Sequence, residues 1–142
     1  MSHKITYLNT DLDIKSSRDL TTFIKELENN EVSPIHSEQD EDGIWFYILE
    51  TCQDFKGPEE CITFLLDVLD SLSPQNKTIW ESCLSKEFNI GYDCGDKPWG
   101  FQNALSAQTL QRLADSNSSL KITIYPRVEK EKQLTTPKTT SS

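Results

Sequence analysis

Asp93, Cys94, Asp96 and Lys97 fall within five residues, interleaved with Gly91 and Gly95 and followed directly by Trp99 and Phe101. Two carboxylates, a thiol and an ammonium at that density suit three kinds of chemistry: proton transfer, thiolate attack, or an anchor for another molecule. As a nucleophile, Cys94 gains from Lys97 but loses to Asp93 and Asp96, because negative neighbours disfavour the thiolate. The only mid-chain imidazole is His36, on a predicted edge strand. As an acid–base pair, Asp93 and Asp96 would work with Asp11 or Asp13; carboxylates in turns more commonly cap backbone amides. As an anchor, Trp99 and Phe101 either fold back on the sheet end or face a partner, with fold-back preferred; a mixed arrangement would bury Trp99. Asp93, Asp96 and Lys97 would then be on display.

Other site chemistry is poorly supplied. Cys52, Cys61, Cys83 and Cys94 stand nine, twenty-two and eleven residues apart with no CxxC, so no zinc site is expected. The oxygen ligands of an EF-hand loop are missing, as are both glycine patterns that cradle phosphate. No metal and no cofactor is therefore predicted. A second acidic cluster, Glu38, Asp40, Glu41 and Asp42, sits in the turn EQDEDG, where Asp42-Gly43 is a hairpin signal. Together with the 93–101 stretch it makes up the expected binding face.

Charge narrows the partner. The 142 residues carry a formal −9; residues 127–142 hold four cations against two carboxylates, which leaves −11 on the preceding body. Such a body repels a phosphate backbone, so nucleic acid is not an expected partner. A basic protein would be steered toward it. No apolar run is long enough to cross a membrane, and the first residues lack a secretory pattern. Both point to the cytoplasm, where the four cysteines would remain thiols.

The elements that must position these residues follow from periodicity. Ile5–Ile14 predicts a first strand that frays at Asn9, Asp11 and Asp13. Ser16 with Asp19 resembles a capping box ahead of a helix carrying Leu20, Phe23, Ile24 and Leu27. Val32–Glu38 contains Pro34 and belongs at a sheet edge. Ile44–Thr51 is apolar on both parities and predicts a central, doubly covered strand. Gly57-Pro58-Glu59-Glu60 and Ser73-Pro74 open two helices. Phe88 starts another strand, Ser106 caps a fourth helix that Asn117 ends, and Ser119–Tyr125 closes the fold before Pro126. The order βαββααβαβ predicts one α+β domain over residues 1–126: a mixed or antiparallel sheet of about five strands with three to four helices on it. A split βαβ plan with an added helix and strand satisfies that order. Residues 127–142 are expected to be disordered.

The positions Phe88, Ile90, Gly91, Tyr92, Asp93, Gly95, Pro98 and Trp99, with Leu105-Ser106 and the closing Ile124-Tyr125-Pro126, carry a resemblance. Residues 5–126 are similar to a family of small bacterial proteins that share an F-x-I-G-Y-D-x-G-x-x-P-W stretch and a last strand ending Tyr-Pro. That family brings no established activity; the resemblance implies a free-standing bacterial cytoplasmic domain. The function expected is a non-enzymatic protein-binding module, such as an immunity protein against a basic toxin. The alternatives are a small-molecule enzyme using Cys94 with Asp93 and Asp96, and a structural or regulatory homodimer built on an exposed sheet edge.

Overall fold

Alternating apolar and polar residues put one side of each strand against the helices, and the register shows which side. The structure, a computed structural model, describes residues 3–126; the expected tail at 127–142 lies outside them. The elements are β1 (Thr6–Ser16), α1 (Thr21–Glu28), β2 (Val32–Gln39), β3 (Trp45–Thr51), α2 (Pro58–Asp70), α3 (Pro74–Glu81), β4 (Ser85–Asp93), α4 (Ala107–Asp115) and β5 (Ser119–Tyr125). They form one mixed sheet in the order β2-β3-β1-β4-β5, antiparallel except for β4 with β5. This is the split βαβ plan with α4 and β5 appended, an α+β fold.

The first strand departs from expectation. It does not fray at Asn9: it runs on to Ser16 and lies at the centre of the sheet. A register shift between Tyr7 and Asn9 changes which parity faces inward. After that shift Thr10, Leu12, Ile14 and Ser16 are fully buried, and Asn9, Asp11 and Asp13 line the other face. The polar residues that looked like a turn are thus one side of a regular strand.

β3 is also not central. It lies between β2 and β1, and only Leu49 in it is fully buried. Phe46 and Ile48 fall on the side opposite Leu49, where the His36 ring lies 6.0 Å from the Phe46 ring and the Lys15 ammonium 5.9 Å from it. β2 takes the edge position that Pro34 requires, with a register shift between Pro34 and His36.

The helices pack together on the inward face, where Phe23, Leu27, Leu65 and Phe88 are among the sealed side chains. Two helix starts use one device. Ser73 caps α3 and Ser106 caps α4, each side chain accepting from the amide three residues on. Each cap is gripped by a carboxylate from another helix. Glu26 of α1 accepts from the Ser73 amide, the Ser73 hydroxyl and the Asn76 amide group. Glu59 of α2 accepts from the Ser106 amide, the Ser106 hydroxyl and the Thr109 hydroxyl. These hydrogen bonds hold both carboxyls below their usual range, with Asn76 first for Glu26 and the Ser106 amide first for Glu59. α1 differs: Ser16 does not cap it, and Asp19 instead accepts from the Thr21 amide. Ser106→Ala should cost about 1 kcal/mol in urea unfolding, the usual worth of a serine cap, and it should loosen the chain between β4 and α4.

Candidate functional site

Helices cover one side of the sheet; among the described residues no element covers the other. Register identifies what that open face carries. Asp11 pairs with Asn89 and Asp13 with Glu87, while Glu87 and Asn89 pair in turn with Ser119 and Lys121. Across β1 on the other side, Asp13 pairs with Ile48, so Glu50 and Phe46 share its face. The middle three strands therefore present Asp11, Asp13, Glu50 and Glu87 together. Two lysines share the face: Lys121, tied to Glu87 at 3.1 Å, and Lys15, held over Phe46.

The geometry at Asn9 is the tightest part. Its side-chain amide donates to Asp11 Oδ1 at 3.0 Å and to Glu50 Oε2 at 2.9 Å, so one nitrogen bridges two carboxylates. Burial against the sheet, then the charge of Glu50, then that of Asp13 push the Asp11 carboxyl up to about 6. Burial pushes Asp13 up as well, with Lys121 opposing and Glu87 assisting. Asp13 Oδ1 is sealed from water and has no hydrogen-bond partner among the described residues. Carboxylates crowded in this way disfavour their own ionisation, and a cation arriving from outside would relieve them.

Beside this cluster lies a cavity of about 470 Å³, walled by Tyr7, Asn9, Asp11, Glu50, Phe55 and Tyr125 among others. The Tyr125 ring reaches in across Gly91: a Cβ there would stand 3.3 Å from the ring and 3.1 Å from Asn9 Oδ1. Gly91 is thus a close-approach glycine on the open face.

The 93–101 stretch sits at the same end, because Asp93 pairs with Thr6 at the start of β1. Asp96 Oδ1 accepts from the His3 amide, the amides of Asp96 and Lys97 donate to the His3 carbonyl, and the Ile5 amide donates to the Lys97 carbonyl. The Asp96 carboxyl is held below its usual range, the His3 amide being the largest cause. Gly95 makes this docking possible: a Cβ would lie 2.6 Å from backbone atoms of His3, Lys4 and Ile5. Asp93, Cys94 and Lys97 are exposed. Only one of the two aromatics takes the preferred fold-back. Phe101 folds back edge-on against Tyr92 at 5.7 Å, and Trp99 is 101 % exposed. Backbone bonds fasten Asp96 and Lys97 to the N-terminal segment and Cys94 to Tyr125, while beyond them the chain projects, and a Cβ on Gly100 would meet nothing within 4 Å.

Glu38, Asp40, Glu41 and Asp42 are exposed but not adjacent to that loop. Gln39 pairs with Trp45, and Trp45 with Ser16, at the opposite end of β1 from Thr6. Asp40 is turned to local work, accepting from the amides of Asp42 and Ile44. The two acidic clusters are therefore separate surfaces. His36, hydrogen-bonded to Glu38 at 3.0 Å, is on the edge strand farthest from β4, so it is not assembled with Cys94. Cys61 and Cys83 are buried; burial raises both thiols, Cys83 up to about 11.

A larger cavity, about 580 Å³, opens among α2, α3 and α4. Its charges balance: Lys77, Lys86 and Arg112 face Asp70, Glu81 and Asp115. Arg112 is committed to Asp67 and Asp70, and Lys86 lies over the Trp80 ring at 4.7 Å. Among the described residues no three His, Cys, Asp or Glu side chains are grouped to hold a metal ion, and no helix is long and apolar enough to cross a membrane.

Comparison with known proteins returns no matching family model, no similar curated protein and no similar solved structure. Residue geometry alone carries the functional argument. Sequence reasoning singled out the 93–101 loop but missed Asp13, Glu50 and Glu87 as members of one face. The signal was present in the odd-numbered series Asn9, Asp11, Asp13, Lys15, which has the two-residue period of a solvent-facing strand side.

Proposed function

We propose that the protein is a non-enzymatic binding module for a basic protein partner, with a toxin-immunity role as its particular form. The observation that carries this reading is the open sheet face, where Asp11, Asp13 and Glu50 crowd together with an unpartnered carboxylate oxygen. Crowded like charges cost the fold stability, and an arginine or lysine from a partner would turn that cost into affinity. The loop at the same end adds the exposed Trp99, a residue type enriched among interface anchors, and the exposed carboxylates of Asp93 and Asp96. The body's charge of −11 steers a cationic protein toward it.

The test uses the full chain immobilised and exposed to extract from its native host at low salt. A basic protein should be retained, should be released as salt rises, and should be lost when Asp11→Asn and Asp13→Asn are combined. Retention that ignores both the salt and the double variant would count against this face.

A further inference from the structure

The two edges of the sheet are built differently. β2 is guarded: Pro34 removes a donor, a bulge follows it, and His36 and Glu38 project there. β5 has no bulge and no proline within it, and its seven residues SLKITIY hold a single charge. That charge, Lys121, is already ion-paired to Glu87 within the chain.

The outer edge of β5 is open among the described residues. Tyr125 turns its carbonyl toward β4, where it accepts from the Cys94 amide at 2.9 Å. Strand alternation then aims the backbone groups of Leu120, Ile122 and Ile124 away from β4, outward along the edge. The side chains of those same three residues stand in a row on the helix side, 40 %, 60 % and 62 % exposed. Beside them a groove of about 330 Å³ runs between Ile122, Ile124, Tyr92 and Phe101. Free strand hydrogen bonds and an uncovered apolar row coincide on one strand, and the next strand to pair there would satisfy both.

We infer that a second copy of this chain pairs there, β5 against β5 antiparallel about a two-fold axis through Ile122, to give a continuous ten-stranded sheet. The sequence of the strand is self-complementary in that register. Leu120 meets Ile124 of the other copy, Lys121 meets Thr123, and Ser119 meets Tyr125, so no like charges stand opposite each other. In a body at −11, β5 is a segment whose only charge is positive and already paired, so self-repulsion is weakest there. The pairing leaves both open carboxylate faces free, and it is independent of the partner proposed for them.

Sedimentation equilibrium of the full chain tests this directly. A dimer is expected at micromolar concentration, and Ile122→Lys should weaken it at least about tenfold by burying two ammonium groups face to face. Ile35→Lys, on the guarded edge and likewise exposed, should leave it unchanged. Ile122→Cys, with Cys52→Ser and Cys94→Ser, should form a disulfide across the axis on mild oxidation, since directly opposed, hydrogen-bonded residues lie about 5.5 Å apart. A full chain that stays monomeric overturns the proposal. So does a monomer that dimerises only when residues 127–142 are removed, which would give the edge to that segment. A dimer equally sensitive to Ile35→Lys, or one that Ile122→Cys fails to cross-link, overturns it too.

Discussion

Combining Asp11→Asn with Asp13→Asn is expected to make the protein more stable at pH 7, by at least about 1 kcal/mol, although two side chains of the central strand are altered. The direction follows from the raised carboxyls. Asp11 moves from its ordinary 3.8 to about 6 because burial, Glu50 and Asp13 all disfavour its charge. For a group sealed from water such a shift would correspond to about 3 kcal/mol. Asp11 is only half-buried, and solvent screening reduces its share to about 1 kcal/mol. Asp13 shifts in the same direction, burial being the larger cause. The native state binds these protons more tightly than the unfolded chain does. The stability linked to the Asp11 proton is fully present below about pH 4 and is lost as pH rises through about 6, and Asp13 acts in the same direction. The variant should therefore match the parent in acid and exceed it at neutral pH, with the gap opening between those values. Urea unfolding across that range reads the difference. A double variant that is less stable at pH 7 would mean that the carboxylates hold the sheet together.

Gly95→Ala should act in the opposite sense and cost about 2–3 kcal/mol, as expected for overpacking that a backbone cannot relieve. The added methyl carbon would stand 2.6 Å from backbone atoms of His3, Lys4 and Ile5. Main-chain atoms on both sides are tied by hydrogen bonds, so no flexible side chain can swing aside. The N-terminal segment must lift away, breaking the bonds from Asp96 and Lys97 to His3 and from Ile5 to Lys97. Hydrogen exchange at the Ile5 amide should quicken well before the core amides of β1 and β4 respond. An alanine variant with unchanged exchange at Ile5 would show that the segment is not fastened through this glycine.

Much of the fold was legible because local chemistry and tertiary need agreed. Pro34 called for an edge and took one; Ser73, Ser106 and Asn117 punctuate helices as their types suggest, Asn117 with a positive φ of 58°. The element order was enough for the split βαβ plan. β1 was misjudged because of an irregularity in its own strand, and β3 because the side of the sheet that carries Phe46 and Ile48 has no element over it among the described residues. A bulge at Tyr7–Asn9, invisible in residue types, switches the inward parity, so apolar Tyr7 and polar Asn9 do not share a face despite their spacing. Once that switch is made the polar series becomes an uncovered side of the sheet, and Phe46 and Ile48 of β3 are left on the same side. The candidate site was half visible. Density of special residues marked the 93–101 loop, but the carboxylate cluster is assembled across three strands, and sequence proximity carries no trace of the Asn9 contact with Glu50. The Glu38–Asp42 turn, equally acidic in sequence, is set apart by the length of β1.

The most direct measurement of the open face is a carboxyl-carbon NMR titration of Asp11, alone and with an oligoarginine peptide as a stand-in for a basic partner. Alone, its midpoint should fall at about 6. With the peptide bound it should drop toward the ordinary 3.8 as guanidinium groups take their place between Asp11 and Glu50. A midpoint already near the ordinary value in the free protein, or one the peptide leaves where it was, would contradict a face strained by its own charge and built to receive a cation.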